Sequence, residues 1–293
     1  MSQVRTRPSR LRSRSLQAYF LVLPVILLVA LLAYGVVSSF IMSLQKVEVL
    51  LTERPFVGLA TYLALFADEF FRQSLLRSLL FWVGCVALGI TVALIYALAL
   101  YRIKLLRRTA RAIALAPFLI SGVAVGITWR FLFSTNVGLT NQIFLMLGLQ
   151  EISWLGTPAL AFLLVMVATI WWIAPFPTIM LLGGLHSIDP MYFDAAVVDG
   201  ATPFQMLRNV TLPLIFPVLG VSLIWLSYGA LVAFDLLFPL TAGGPGRATE
   251  VLALLMYNIA FLQLNFSEAS AILMVLILLN TIFSVAFLKI FKI

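Results

Sequence analysis

The sequence DPMYFDAAVVDGATPFQMLRNVTLPLIFP, residues 189–217, is the one long interruption in the hydrophobic second half of the chain. Asp189 followed by Pro190 predicts an N-cap with proline at the first helical position. A short helix is expected over 191–198, and Gly200 suits the left-handed residue that ends such a helix. The first half of this stretch is therefore predicted to be a capped helix closed by a glycine joint.

A second helix start follows directly after this joint. Thr202, Pro203 and Gln205 occupy the N-cap, first and third positions of a capping box. The helix that they open is expected to run to about Asn209 and to end before Pro213, because proline cannot donate a helical hydrogen bond. Two short helices around one joint are thus predicted between two hydrophobic spans.

The composition is that of a polytopic membrane protein. Of the 293 residues, 63% are hydrophobic, and the mean hydropathy is +1.11, whereas soluble domains are roughly 45–50% apolar. We predict an all-α integral membrane protein, because the apolar runs supply about six helices of the roughly 20 residues that cross a bilayer. The predicted spans are 17–44, 74–101, 113–133, 158–182, 214–240 and 267–291, after a basic tail over 1–16 and within a single domain over 17–293.

The placement of the basic residues predicts the orientation in the membrane. The formal net charge is +8, and thirteen of the nineteen lysines and arginines lie in the tail, two of the loops and the C-terminus. Clusters beside spans mark cytoplasmic ends, so both termini and the loop over 189–213 are predicted to be cytoplasmic. This placement also argues against nucleic-acid binding. The thirteen residues are Arg5, Arg7, Arg10, Arg12, Arg14, Arg102, Lys104, Arg107, Arg108, Arg111, Arg208, Lys289 and Lys292.

Within residues 189–213 lie three short motifs, Asp194-Ala195-Ala196, Asp199-Gly200-Ala201 and Leu212-Pro213. Together they resemble the EAA signature of the permease subunits of binding-protein-dependent ABC importers. The family usually has Glu where this chain has Asp194, so the charge is kept on a shorter side chain. The resemblance implies the type I importer permease fold and a cytoplasmic coupling helix that docks into a groove of an ATPase. The implied coupling residues are Asp194, Ala195, Ala196, Asp199, Gly200, Ala201, Leu212 and Pro213.

A second motif lies after the fifth predicted span, where LTAGGP occupies residues 240–245. It is similar to the LTGGGP loop of carbohydrate importers of the maltose and glycerol-phosphate group. The resemblance implies that Thr241, Gly243, Gly244 and Pro245 face an extracytoplasmic solute-binding protein. Earlier in the chain, Val57 to Phe66 resembles another element of sugar-type importers, and its pattern predicts a short amphipathic helix at the membrane interface.

The resemblance also implies partners and a location. These are a second permease subunit, two cytoplasmic ATP-binding subunits, a solute-binding protein, a sugar-type solute and the lipid bilayer of a prokaryotic inner membrane. No GxxxxGK[ST] motif occurs in the sequence, so we expect ATP and Mg to bind to the partner ATPase and not to this chain. His186 is the only histidine and is interpreted as a helix-end residue, because no metal-ligand spacing surrounds it.

The path of the solute is predicted from the fifth span. Trp225, Tyr228 and Asp235 are spaced to lie on or near one face of a helix, and an ionisable group inside a span is a functional candidate. Packing or membrane-interface anchoring would explain the same residues. In the family, the spans on either side of the EAA loop line the translocation path.

Prolines and glycines predict where spans bend. Pro175 and Pro177 should kink or break the fourth span, whereas Pro117, Gly122 and Gly126 are expected only to loosen the third span, which should stay continuous.

Two alternative functions remain: a stand-alone secondary transporter or channel, and an integral membrane enzyme. The solute class stays open among mono-, di- and oligosaccharides, glycerol phosphate and polyols.

Overall fold

A computed structural model describes residues 11–47, 54–103 and 107–293, with side chains described from residue 22 onward except at 107. Residues 1–10 of the predicted basic tail, and Lys104 of the predicted basic loop, lie outside this description. In chain order the helices are α1 (Leu11–Ser43), α2 (Ala60–Ala67), α3 (Glu69–Arg102), α4 (Arg107–Leu115), α5 (Gly122–Leu132), α6 (Leu139–Met146), α7 (Pro158–Ile173), α8 (Pro175–His186), α9 (Pro190–Val198), α10 (Pro203–Met206), α11 (Leu212–Leu214), α12 (Phe216–Leu231), α13 (Phe234–Thr241), α14 (Leu252–Tyr257) and α15 (Phe266–Phe291).

Three of these helices are long and apolar enough to cross a membrane without interruption: α1 over Val22–Ser43, α3 and α15. Three further spans are pairs of helices that meet at a bend, which brings the number of candidate spans to six in the described chain. The α-helical fold with six spans was predicted, and this is confirmed.

The fourth span breaks where two prolines predicted it. Helix α7 ends at Ile173, α8 begins at Pro175, and the two meet at an angle of 45°. Pro175 occupies the first position of α8, where its missing N–H is not needed. The kink therefore follows from local sequence alone.

The third span breaks where only a loosened helix was expected. A 3₁₀ turn over Ala116–Leu119 follows α4, and α5 leaves at 92° to this arm. Pro117 lies at the start of the turn, and Ile120, in an extended conformation, separates the two arms together with Ser121. Proline removes one helical donor, and beyond the bend α5 packs against α13, a contact that the sequence pattern did not indicate.

The fifth predicted span, 214–240, bends at its start and is divided again further on. The helical arm over Pro203–Leu214 meets α12 at an angle of 75°. Helix α12 ends at Leu231, and α13 begins at Phe234 after a short break. Helix α12 packs against α3 and α15, and the Trp82 indole donates a 2.6 Å hydrogen bond to Ser227 Oγ between α3 and α12. Trp82 also stacks on Phe283 of α15, with ring centroids 3.8 Å apart. The three helices thus pack together as one group, whereas α13 packs against α5, α7 and α14.

Helix α2 fixes the chain that follows α1. The Tyr62 hydroxyl on α2 lies 2.7 Å from Ser43 Oγ, at the end of α1. Ser267, on α15, donates to the carbonyl oxygen of Gln45 over 2.7 Å. The short helix predicted near Tyr62 is present, and its Leu65 side chain is buried in the core.

Candidate functional site

Residues 189–200 form the capped helix that the sequence predicted. The Asp189 carboxylate accepts the backbone N–H of Met191 at 2.9 Å, with Pro190 at the first helical position. At the other end Gly200 has φ +71°, and its N–H donates to the Val197 carbonyl oxygen at 3.0 Å. The backbone N–H of Ala201 donates to the Ala196 carbonyl oxygen at 2.9 Å. These two bonds form a Schellman motif.

The second helix of the segment starts as predicted but runs further. Thr202 and Gln205 form the capping box, with bonds of 2.8 and 3.3 Å. Helix α10 then continues as a π-helix over Leu207–Thr211 and joins α11, so the predicted end at about Asn209 is wrong. Pro213 lies two residues beyond the π-helix within this continuous run, and the helix extends one residue further, to Leu214. Proline therefore does not end the helix here.

The outer surface of the 189–213 segment is apolar as well as charged. The predicted coupling residues Asp194, Ala195, Asp199 and Gly200 are exposed, whereas Ala196 is buried. Large apolar side chains are exposed beside them, and that of Val198 is 86% exposed. The other exposed apolar residues are Met191, Tyr192, Val197 and Phe204. Ala201 and Leu212 are partly buried, and Pro213 is exposed. Such a patch is typical of an interaction surface.

His186 lies at the end of α8, as expected, and joins two neighbouring helices. Its Nδ1 lies 2.6 Å from the Leu182 carbonyl oxygen, and its Nε2 lies 3.3 Å from Arg111 Nη2 on α4. A proton on Nδ1 leaves Nε2 free to accept from Arg111. Tyr101 of α3 packs edge-on against the ring, with centroids 5.1 Å apart. This contact fixes the helix that leads into the 189–213 segment.

The structure gathers the three predicted path residues at one cavity of about 480 Å³. Trp225 and Tyr228 lie on α12, and Asp235 lies on α13 beyond the break. They were predicted on one face of a continuous helix, which is wrong, because the helix ends at Leu231. The break nevertheless turns the Asp235 carboxylate towards the same space.

Aromatic rings from other spans surround Trp225, and those of Phe118 and Trp172 line the same cavity. The Trp225 ring lies 4.3 Å from that of Phe176 and 5.9 Å from that of Phe118, measured between centroids. Trp172 lines the cavity and donates its indole N–H to the Ile120 carbonyl oxygen at 2.9 Å. Sequence analysis did not assign these rings to the path, because they come from the third and fourth spans and not from the fifth.

The loop after α13 is tightly cross-linked. Thr241 Oγ1 lies 2.7 Å from Thr249 Oγ1, and Thr249 donates to the Gly244 carbonyl oxygen at 2.8 Å. Gly243 has φ +90°, and the Gly244–Pro245 peptide is cis. The predicted loop residues therefore form one ordered turn.

A buried carboxylate that sequence analysis missed supports this turn. Glu250 is 5% exposed, pairs with Arg247 and accepts a 2.9 Å hydrogen bond from Asn258 Nδ2. The Arg247 guanidinium lies 3.9 Å from the ring centroid of Phe70, at the start of α3. The opposite charges of Arg247 and Glu250, three residues apart in the sequence, were the available signal.

No cluster of three or more His, Cys, Asp or Glu side chains that could hold a metal ion occurs in the described chain. The candidate site is therefore made of aromatic rings, one carboxylate and two structured loops.

Residues 86–291 match the family described as the binding-protein-dependent transport system inner membrane component.

The chain belongs to this family of permeases. The permease is 34% identical over 284 residues to the trehalose/maltose transport system permease protein MalF of Thermococcus litoralis, covering 96% of both chains.

Among solved structures, the permease matches a chain of a bacterial ABC transporter involved in the import of the acidic polysaccharide alginate, with a TM-score of 0.83. The identity is 23%, and the match covers 96% of each chain. A bacterial alginate ABC transporter in complex with its pentasaccharide-bound periplasmic protein matches with a TM-score of 0.79 at 23% identity, over 95% of this chain and 96% of the other. The type I importer permease fold that was predicted is confirmed.

Proposed function

We propose that the permease is one of two transmembrane subunits of an ATP-driven importer for a sugar or a related polar solute in the prokaryotic cytoplasmic membrane. A second, similar permease completes the path, and two cytoplasmic ATP-binding subunits bind ATP and Mg and hydrolyse the nucleotide. An extracytoplasmic solute-binding protein delivers the solute. The trehalose/maltose permease that is similar over nearly its whole length supports the solute class.

The observation that carries this proposal is the wall formed by Trp225, Tyr228 and Asp235 at one cavity. Ligand sites are mostly apolar and aromatic, with a few polar groups that fix orientation. A sugar presents apolar C–H faces for the rings and hydroxyls for the carboxylate. The wall therefore suits a polyhydroxylated solute.

The 189–213 segment is the element that couples this path to ATP hydrolysis. Its exposed apolar side chains, with Val198 and Phe204 among them, suit a groove on an ATP-binding subunit. Asp194 and Asp199 add charge at this contact, and the small Ala195 keeps the exposed face narrow, whereas Ala196 is buried within the chain. Closure of the two ATP-binding subunits then moves the attached spans as a rigid body, between inward-open and outward-open states.

The loop containing Thr241, Gly243, Gly244 and Pro245 faces the solute-binding protein. Its hydrogen bonds to Thr249 hold it in a defined shape before the partner arrives. A pre-ordered loop loses less conformational freedom on binding than a flexible one. The loop can therefore contribute to docking without being large.

Co-purification and transport test the proposal together. The tagged permease, extracted from its own membranes, should bring down an ATP-binding subunit and a second permease. Proteoliposomes containing this complex should take up labelled trehalose or maltose only with ATP and the solute-binding protein. Uptake driven by an ion gradient without ATP would instead support a stand-alone secondary transporter.

A further inference from the structure

The chain between the end of α3 and the start of α5 carries positive charge that it does not neutralise itself. Residues 102–120 contain five lysines and arginines and no carboxylate. The structure describes the side chains of three of these residues, Arg102, Arg108 and Arg111. Within the part of the chain that the structure describes, no carboxylate pairs with any of the three. Their charge is therefore available to an anionic partner.

Helix α4 has an inner face that packs on the protein and an outer face that carries both charged and apolar groups. On the inner face Ala110 and Ala114 pack against a core cluster formed with α3 and α8. On the outer face Arg108 is exposed, and the Ile113 side chain is 69% exposed. A helix that presents arginine and a bulky aliphatic side chain outward is typical of the membrane–water interface.

The position of α4 in the fold also places it at the edge of the bilayer. Helix α3 is a candidate span that ends at Arg102, and α4 begins five residues later, at Arg107. A link of that length reaches at most about 18 Å. The arm that contains α4 meets α5 at 92°, so it turns away from the direction of the following helix.

A contact with α8 fixes α4 and identifies the membrane face on which it lies. Arg111 Nη2 lies 3.3 Å from His186 Nε2, at the end of α8. Asp189, which opens the 189–213 segment, follows three residues later. Helix α4 is thus held in place at the same end of the molecule as that segment. A surface that is already ordered loses little conformational freedom when it binds a partner.

We propose that Arg102, Arg108 and Ile113, which we call the α4 surface, bind the headgroup of an anionic phospholipid. The planar guanidinium groups match the phosphate oxygens in a bidentate arrangement, and Ile113 lies against the start of the acyl chains. A protein partner fits this surface less well, because the cores of protein interfaces are depleted of charged residues. The proposal goes beyond the proposed function, since it does not depend on which solute is transported.

Native mass spectrometry of the permease, with the subunits that co-purify with it, tests the choice of lipid. The detergent contains equal amounts of phosphatidylglycerol and phosphatidylcholine with identical acyl chains. The wild type should retain phosphatidylglycerol in preference. Each basic residue near an anionic surface contributes about a fivefold factor, so the double variant Arg102→Gln/Arg108→Gln should lower the preference at least about fivefold.

A matched double variant, Arg54→Gln/Arg208→Gln, also removes two positive charges. Both of these arginines are exposed, and both lie outside the α4 surface. This control should keep the lipid preference of the wild type. An equal loss in the two double variants would overturn the proposal, because net charge alone would then explain the preference.

Fluorescence quenching in lipid nanodiscs tests whether lipid covers the surface. Ile113→Cys is labelled with a small fluorophore, and Cys85 does not react because it is fully buried. Phospholipids that carry a spin label near the headgroup should quench this fluorophore. Val198→Cys, labelled in the same way, is the control, because this residue is 86% exposed on the 189–213 segment; its fluorophore should be quenched much less.

Three further results would overturn the proposal. The first is a wild-type protein that shows no preference for phosphatidylglycerol. The second is an unquenched label at Ile113, which would show that protein covers the surface. The third is loss of a co-purifying subunit from Arg102→Gln/Arg108→Gln with an unchanged lipid preference. Failure of sugar uptake by the wild type would leave the lipid measurements unaffected, so the two proposals fail separately.

Discussion

Gly122 and Asp235 lie in direct contact, at the start of α5 and in the first turn of α13. A Cβ atom on Gly122 would clash with the carboxylate oxygen of Asp235 and would lie 2.7 Å from Cη2 of Trp172. Helix α5 therefore begins at the only kind of residue that lets its backbone touch both side chains. This contact positions Asp235 at the cavity.

Gly122→Ala should displace the side chains of Asp235 and Trp172. Overpacking of this kind destabilises proteins by about 1–3 kcal/mol, and we expect sugar uptake to fall as well. Thermal unfolding and uptake of the purified, reconstituted complex provide the measurements. Gly183→Ala is the control, because nothing lies within 4 Å of a Cβ at that position; equal behaviour of the two variants would contradict the prediction.

Asp235→Asn should impair transport without affecting assembly. The substitution keeps the shape but removes the negative charge, and an amide is a weaker acceptor for a solute hydroxyl. We expect the uptake rate to fall about tenfold, with unchanged co-purification of the partner subunits. Uptake of labelled trehalose or maltose measures this, and a wild-type rate would remove Asp235 from the path.

Gly200→Ala should weaken coupling to the ATPase. Gly200 has φ +71°, and a residue with a Cβ is strained there by about 1–2 kcal/mol. Stimulation of ATP hydrolysis by the loaded binding protein should therefore decrease, while Gly200→Asn, which tolerates this conformation, should retain more of it.

Gly148→Ala is the matched control for this change. Gly148 has φ +72°, and as at Gly200 nothing lies within 4 Å of an added Cβ, but it lies outside the 189–213 segment. Its substitution should strain the backbone to the same degree and leave ATPase stimulation intact. An equal loss of stimulation in both variants would mean that strain alone explains the effect.

Glu250→Gln should loosen the turn that contains Thr241 and Pro245. Removing the charge leaves Arg247 without its ion pair, and breaking a buried bond of this kind costs about 1–3 kcal/mol. We expect a lower unfolding temperature and a higher KM for the loaded binding protein.

Glu69→Gln provides the comparison, because Glu69 pairs with Arg72 at the same spacing but its side chain is 61% exposed. Exposed pairs contribute about 0–1 kcal/mol, so this variant should be nearly neutral. Equal destabilisation by the two substitutions would show that burial of Glu250 is unimportant.

The sequence predicted those features that depend on neighbours in the chain. Asp189, Gly200 and the Thr202–Gln205 capping box are confirmed in position and geometry, since caps are set by a few consecutive residues. The break at Pro175 follows the same logic, because one missing donor is enough to interrupt a helix.

Features that depend on packing between distant segments were not predictable from the pattern. Beyond the 92° bend after Leu119, α5 packs on α13, and no periodicity in the sequence indicates that contact. Phe118, Phe176 and Asn280 come from three different spans, so only the folded chain brings them to the walls beside Trp225. The buried position of Glu250 is likewise a tertiary effect.

The interrupted spans also determine which side of the molecule can face lipid. A helix break frees backbone N–H and C=O groups, and hydrocarbon offers them no hydrogen-bond partner. The breaks must therefore be covered by protein or by water; they lie near Ser121, Ala174, Ile215 and Val232. The uninterrupted α1, whose large apolar side chains are exposed over 22–41, can lie against acyl chains. The permease thus presents continuous helix to lipid at α1, whereas the backbone of its interrupted spans needs water or protein around it.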